Sequence, residues 1–236
     1  MATTLRAPLM RREENVRAEC YAKTAAWLAE QQVGAVPLIE TDGPLPRDFL
    51  DGGQCGILTH SPDVIDTYRD SFDPRGVFLS ARAPQEGLEA AFGRCRYLVS
   101  DAHELKAIDE LAGPRLQRGY LENVALRVRA EYSPRGAGGF CAKDSEELAS
   151  LLRKARSLAV RGVFVPLDSS GDLCSQVRDA FSLVKKLRSD LPCMLHSFCL
   201  EGVLEPLAAG NVELLNTVRM VAALNDTSLY AKMFVA

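Results

Sequence analysis

Residues 162–167 read Gly-Val-Phe-Val-Pro-Leu, an apolar run between the charged residues Arg161 and Asp168. A short apolar run bounded in this way predicts a strand that is buried on both of its faces. Such strands occur in parallel sheets, where helices cover both sides of the sheet. The run therefore predicts an α/β protein.

Similar runs recur along the chain and are separated by amphipathic stretches with apolar residues at helical spacing. Eight alternating strand–helix units predict a (β/α)8 TIM barrel, preceded by an N-terminal helix over residues 14–32. A doubly wound open sheet is the alternative, but its glycine-rich first turn is absent from the sequence. The predicted strands are Val36–Glu40, Cys55–Thr59, Gly76–Ala81, Arg96–Ser100, Val124–Ala130, Gly162–Leu167, Cys193–Phe198 and Val218–Leu224.

Length and composition indicate one globular domain. The chain has 236 residues, of which 47% are hydrophobic and 25% charged, and a barrel of this kind takes about 250 residues. We expect an N-terminal extension over residues 1–12 and a single barrel over residues 13–236. The net charge of −3 gives no basic field, so no nucleic-acid partner is expected. No apolar run approaches the ~20 residues of a transmembrane helix.

The cysteines and the first residues bear on the compartment. Seven cysteines, an odd number at wide spacing with no signal peptide before them, predict free thiols in a reducing intracellular compartment. The cytoplasm is the first expectation. Mitochondria are the alternative, because residues 1–12 contain three arginines and no acid, as a short presequence would.

Several motifs, in order, resemble those of a known barrel. Residues 77–84 (VFLSARAP) resemble the family's third strand, and residues 96–105 (RYLVSDAHEL) resemble its fourth strand and following helix. Residues 126–128 (LRV) resemble its fifth strand, and residues 138–142 (GGFCA) its next turn. The family is the fold type III pyridoxal-phosphate-dependent decarboxylases, the ornithine and diaminopimelate decarboxylase group, whose barrel is shared with alanine racemase. The resemblance covers roughly residues 30–234.

The resemblance implies a pyridoxal phosphate site at the carboxyl ends of the strands. Glu40 stands where the family has its Schiff-base lysine, and a carboxylate cannot form an imine. Pro166 begins the run that replaces the family's ring-stacking histidine motif. Arg127 is the one cation that fits the family's pattern, and an internal ion pair with Glu40 would explain it equally well.

Two further motifs depart from the family. Phe198, Cys199 and Leu200 stand in place of the glycine triplet that lets backbone amides approach the phosphate. Ala223 and Asp226 stand in place of the glutamate and arginine of the family's "EPGR" run, which contact the pyridinium nitrogen and the phosphate. We therefore expect no bound cofactor and no catalytic residue inherited from the family.

These departures predict a pseudoenzyme that acts as a structural or accessory subunit in a hetero-oligomeric complex with other proteins. The family's C-terminal β-domain, which completes its dimer, is expected to be missing because the sequence ends at Ala236. A regulatory partner of an active decarboxylase is one alternative. A cofactor-free enzyme that uses Glu40, Asp101 or His60 at the barrel mouth is another.

Other residue groups favour no specific chemistry. Cys193, His196 and Cys199 have ligand-type side chains, but alternation along a strand would separate them, so no metal site is expected. Cys199 with His60 as a nucleophile pair lacks a defined oxyanion site. Two basic clusters, residues 153–156 and 185–188, indicate either solvated helix faces or a docking site for a partner chain.

Overall fold

The computed structural model of the chain shows a closed barrel of parallel strands with helices outside it. It describes residues 24, 26–28, 30–43, 55–67, 76–229 and 231–236. The predicted extension over residues 1–12 lies outside the described residues. Residues 24, 26–28 and 30 are helical, in agreement with the predicted N-terminal helix, whose earlier part is likewise outside the described residues.

Eight parallel strands form the barrel wall, which confirms the predicted TIM-barrel fold. Neighbouring strands pair in the order β4-β3-β2-β1-β9-β8-β7-β5, and a β4–β5 pairing closes the ring. A short additional strand, β6, pairs with β5 outside the ring. The strands are β1 (Ala35–Glu40), β2 (Gly56–Thr59), β3 (Val77–Ser80), β4 (Arg96–Val99), β5 (Glu122–Arg129), β6 (Phe140–Cys141), β7 (Leu158–Pro166), β8 (Ser197–Glu201) and β9 (Lys232–Val235).

Helices connect the strands and begin at recognisable caps. The Asp101 carboxylate accepts the Glu104 backbone N–H at 2.8 Å, and Asp172 accepts that of Ser175 at 3.1 Å. No helix in the described part of the chain is long and apolar enough to cross a bilayer. The helices are α1 (Pro62–Thr67), α2 (Gln85–Ala90), α3 (Ala102–Leu116), α4 (Ser145–Lys154), α5 (Leu173–Asp190), α6 (Leu204–Ala208) and α7 (Val212–Ser228).

The predicted eighth strand, Val218–Leu224, is wrong, because these residues lie inside helix α7. Their continuous apolar character comes from a helix whose inner face is buried and whose outer face carries exposed Met220 and Leu224. The eighth barrel strand is β9, which pairs with both β1 and β8. The predicted seventh strand, Cys193–Phe198, begins and ends too early, since β8 runs from Ser197 to Glu201.

One layer of apolar side chains fills the inside of the barrel, and each of the eight wall strands contributes one of them. Phe78 lies at the centre of this layer, with its ring edge-to-face against Phe164 at 4.9 Å and Phe234 at 5.6 Å between centroids. The layer separates the carboxyl end of the barrel from its amino end. Its members are Leu38, Leu58, Phe78, Leu98, Ala125, Phe164, Cys199 and Phe234.

Candidate functional site

A cavity of about 320 Å³ opens at the carboxyl ends of the strands, above the interior layer. The loop that follows β5 crosses this end of the barrel, and there the Ser133 hydroxyl donates to the Pro166 carbonyl at 2.7 Å. Barrel enzymes bind their ligands at this end. The residues that line the cavity are Leu38, Glu40, Leu58, Arg127, Ala137, Gly138, Pro166, Glu201, Gly202 and Ala236.

An ion pair between Arg127 and Glu201 joins two walls of the cavity. The Arg127 Nη2 donates to Glu201 Oε1 at 2.5 Å, and the two side chains are 25% and 17% exposed. Arg127 comes from β5 and Glu201 from the end of β8, so the pair passes over β7, which lies between those strands. The Arg127 Nε is buried and has no hydrogen-bond partner among the described residues.

The Arg127–Glu201 ion pair only partly offsets the effects that raise the pKa of Glu201. Burial raises the pKa of the Glu201 carboxyl above its ordinary value, Arg127 opposes that rise, and the negative charge of Glu40 adds to it. Burial and the Glu40 charge together therefore outweigh the stabilisation of the charged form by the arginine. The internal ion pair that the sequence offered as one explanation for Arg127 is present, but its partner is Glu201 and not Glu40.

Glu40 ends β1 and faces the mouth with 67% of its side chain exposed. His60, which follows β2, places its Nδ1 3.8 Å from the Glu40 carboxylate and 3.7 Å from that of Asp42. The Asp42 carboxylate also accepts the His60 backbone N–H at 2.6 Å and the Thr59 hydroxyl at 3.0 Å. These bonds fix the loop ends after β1 and β2, while the Glu40 carboxylate remains open to the cavity.

Polar groups at the ends of β3 and β4 support the structure of the rim. Glu104 is buried, accepts the Ser100 N–H at 2.6 Å and pairs with the Arg82 Nε at 2.7 Å. Asp101, one candidate acid or base from the sequence, is the N-cap of α3. Its carboxylate is therefore already engaged with helix backbone. Within the described residues, no three His, Cys, Asp or Glu side chains are grouped as a metal site.

The structure separates the residues predicted at the ends of the sixth and seventh strands. Pro166 lines the cavity as expected. Cys199 belongs to the interior layer, where burial raises the pKa of its thiol well above the ordinary value, so it is a poor nucleophile. Phe198 and Leu200 point outward into the helix layer, and Phe198 contacts Phe181 at 6.2 Å between ring centroids. The mouth is consequently not plugged by these two side chains.

The positions assigned to the family's "EPGR" run must be corrected. Ala223 and Asp226 are exposed residues of α7, outside the barrel wall. They carry no information about a cofactor contact, because the positions that correspond to that run would follow β9.

Sequence reasoning missed the residues that follow β8. Gly202 lines the cavity at a φ of +87°, and a Cβ there would lie 2.8 Å from the Leu167 carbonyl oxygen. Glu201 and Gly202 together form the turn at the mouth. A charged residue followed by glycine after an apolar run is the signal that marks this strand end, and the early placement of the predicted strand concealed it.

The fold is that of the barrel domain of the type III pyridoxal-phosphate-dependent decarboxylases, which confirms the resemblance in the sequence at the level of fold. The chain is similar to diaminopimelate decarboxylase from Helicobacter pylori complexed with L-lysine, at 15% identity and a TM-score of 0.65 over 92% of this chain and 61% of that one. It is also similar to the arginine decarboxylase of Paramecium bursaria Chlorella virus, with 9% identity, a TM-score of 0.65 and coverage of 92% and 61%.

A third solved structure, lysine decarboxylase from Selenomonas ruminantium, has 13% identity, a TM-score of 0.67 and coverage of 92% and 58%. The chain thus spans about three fifths of the length of these structures. No protein-family model and no curated protein matches the sequence.

The residues at the mouth do not fit pyridoxal phosphate. No lysine is among the described residues that line the cavity, and the end of β1 carries the Glu40 carboxylate. The Arg127 charge is already engaged by Glu201. A dianionic phosphate would therefore meet two carboxylates and one neutralised cation, whereas anion sites need amide donors or free cations.

Proposed function

We propose that this chain is a catalytically inactive decarboxylase-like barrel that serves as a structural or accessory subunit of a larger protein assembly. The observation that carries the proposal is Glu40 at the end of β1, in the position where the resemblance expects the Schiff-base lysine. The Arg127–Glu201 ion pair supports it, because it engages the one cation among the described residues that line the cavity. A reducing compartment, the cytoplasm or the mitochondrion, is part of the proposal.

Borohydride trapping tests whether the protein can still form an imine with pyridoxal phosphate. The purified protein is incubated with pyridoxal phosphate, reduced with borohydride and mapped by peptide mass spectrometry. We expect no adduct on any residue of the cavity, because none carries an amine. The Glu40→Lys variant is the matched control, since it places an amine at the end of β1. Native protein that is isolated with stoichiometric pyridoxal phosphate would contradict the proposal.

The subunit role is tested by affinity isolation of the full chain under mild conditions, followed by native mass spectrometry. A stoichiometric set of partner chains with fixed masses is the expected result. Capture of an active decarboxylase as that partner would support the regulatory alternative instead. A chain that remains alone at every concentration would refute the subunit role.

The cavity itself favours a second candidate, a small-molecule site that supports cofactor-free chemistry. Its basis is the open 320 Å³ space beside Glu201, whose pKa is raised by burial. The test is mass spectrometry of small molecules released from the denatured native protein. A stoichiometric metabolite that the Glu201→Gln variant fails to retain would favour this candidate, and an empty extract from both proteins would reject it.

A further inference from the structure

Three segments, each the end of a helix and the chain that follows it, lead into neighbouring strands at the amino-terminal face of the barrel, opposite the cavity. They precede β5, β7 and β8, which are neighbours in the wall. The Glu122 N–H, at the start of β5, donates to the Ser157 carbonyl at 2.9 Å, and the His196 N–H donates to the Arg161 carbonyl at 2.8 Å. These bonds connect residues 116–121, 151–161 and 183–196 into one continuous surface, which we term the basic face.

The basic face is rich in cations, although acids outnumber bases in the chain by 31 to 28. The first two segments contain no acid, and the third contains only Asp190. None of six exposed cations on this face forms an ion pair with a described carboxylate. These six are Arg118, Arg153, Lys154, Arg156, Lys185 and Lys186.

Large apolar side chains are exposed among these cations. Tyr120 is 60% exposed and Met194 63%, and Leu121 is exposed beside Tyr120. The guanidinium of Arg115 lies 5.8 Å from the centre of the Tyr120 ring, and its Nε lies 2.6 Å from the buried Glu122 carboxylate. The contact with Arg115 favours one orientation of the tyrosine ring before any partner binds, which lowers the entropic cost of its use in an interface.

Helix dipoles explain part of this arrangement. Cations in the last turns of α4 and α5 are favoured by the negative ends of those helices. The dipoles do not account for exposed Tyr120 and Leu121 in the loop before β5, or for exposed Met194 in the loop before β8. An aromatic ring and large aliphatic side chains surrounded by arginine are typical of the surfaces through which proteins bind one another.

We propose that the basic face binds an acidic segment of a partner protein, in which apolar side chains alternate with carboxylates. The inference rests on the proposed role as an assembly subunit, and it states which surface and what partner chemistry that role uses. Charge complementarity selects the acidic partner. The apolar residues come from separate loops, and Tyr120 lies on Arg115 instead of forming a protruding tip, so a protein segment fits better than a lipid surface.

The test uses a labelled synthetic peptide of repeating Glu-Asp-Phe-Gly-Glu-Leu units, with fluorescence anisotropy over a range of salt concentrations. A second peptide has serine in place of each apolar residue. Wild-type protein is expected to bind the first peptide about tenfold more tightly than the second, because only the first fills the apolar positions.

Two sets of variants separate the charges from the apolar contacts. Joint reversal by Arg153→Glu, Lys154→Glu and Arg156→Glu is expected to weaken binding of the first peptide about tenfold and to flatten its salt dependence. Joint Tyr120→Ser and Met194→Ser is expected to weaken it about fivefold with the salt dependence unchanged. The matched control reverses Arg129, Arg135 and Arg178, exposed elsewhere, and is expected to change binding less than about twofold.

Several results would overturn the inference. Equal affinity in wild type and the basic-face reversal would do so, as would binding to phosphatidylserine vesicles or duplex DNA without binding to the peptide.

The affinity isolation distinguishes the proposed binding surface from the proposed subunit role. A partner set that survives the reversal rejects the basic face and retains the subunit role. Face-dependent peptide binding with no partner set retains the face and rejects the role. Circular dichroism confirms that each variant is folded.

Discussion

Arg127 and Glu201 form a largely buried ion pair in which the arginine only partly offsets the rise in the pKa of the glutamate. Because the pKa of Glu201 is raised, folding disfavours the ionised carboxylate relative to the protonated one, compared with the unfolded chain. Arg127 limits that cost, and Glu40 increases it. The arginine is therefore a stabilising residue at neutral pH, whereas the charge on the glutamate is not.

Arg127→Met is expected to lower the free energy of unfolding at pH 7 by about 2–3 kcal/mol, because it leaves the Glu201 carboxylate without its cation. That figure is below the ~3–5 kcal/mol typical of fully buried pairs, since this pair is partly exposed. Urea unfolding measures the change. Adding Glu201→Gln to the variant is expected to restore most of the loss, and a double variant as unstable as Arg127→Met alone would refute this account.

Glu201→Gln is expected to change how stability depends on pH. A carboxyl whose pKa is raised on folding contributes most stability below its unfolded pKa, and that contribution is lost as pH rises through the folded pKa. The variant should therefore lack this fall in stability above the ordinary glutamate pKa. Unfolding free energies between about pH 4 and pH 7 provide the measurement. Identical pH profiles for the variant and the wild type would show that Glu201 does not titrate abnormally.

At the level of secondary structure, the turn after β8 depends on glycine. Gly202→Ala is expected to cost about 2 kcal/mol or more, from the left-handed backbone and from contact with the Leu167 carbonyl oxygen. Gly210→Ala is the matched control, because its φ is +85° and nothing lies within 4 Å of the added Cβ. It should cost about 1 kcal/mol. Equal losses in urea unfolding would mean that the carbonyl contact contributes nothing.

The sequence predicted six of the eight barrel strands close to their observed positions and a seventh three to four residues too early, because strands buried on both faces have continuous apolar runs. It failed at Val218–Leu224, where one buried helix face and exposed Met220 and Leu224 together imitate such a run. The real strand is Lys232–Val235, which was left unassigned because the eighth strand had already been placed at Val218–Leu224.

The sequence predicted the residues of the candidate site where it placed the end of a strand correctly, and it missed them where the strand end was misplaced. Glu40 was identified because β1 was placed correctly. Glu201 was missed because the predicted strand ended three residues early, at Phe198. An error of that size changes which residue stands at the mouth, and odd shifts also exchange the inward and outward faces. The partner of Arg127 in its internal ion pair was missed for the same reason.

For the whole molecule, closure of the barrel depends on the interior layer. Phe78→Ala is expected to lower the free energy of unfolding by about 3–5 kcal/mol, because it removes both ring contacts and leaves a cavity among residues that cannot collapse into it. Phe78→Leu is the comparison and should cost clearly less. Urea unfolding of both variants measures the difference, and equal losses would show that volume inside the barrel is not limiting.

The interior layer also makes the barrel a molecule with two independent ends. It forms an apolar septum across the barrel, since one buried side chain from each wall strand packs into it. The charges around Arg127 and Glu201 and those of the basic face are therefore separated by a low-dielectric wall. Substitutions for a new partner at one end of the barrel can therefore accumulate while the charges at the other end keep their own surroundings. For the same reason, we expect that variants at one end leave binding at the other end intact.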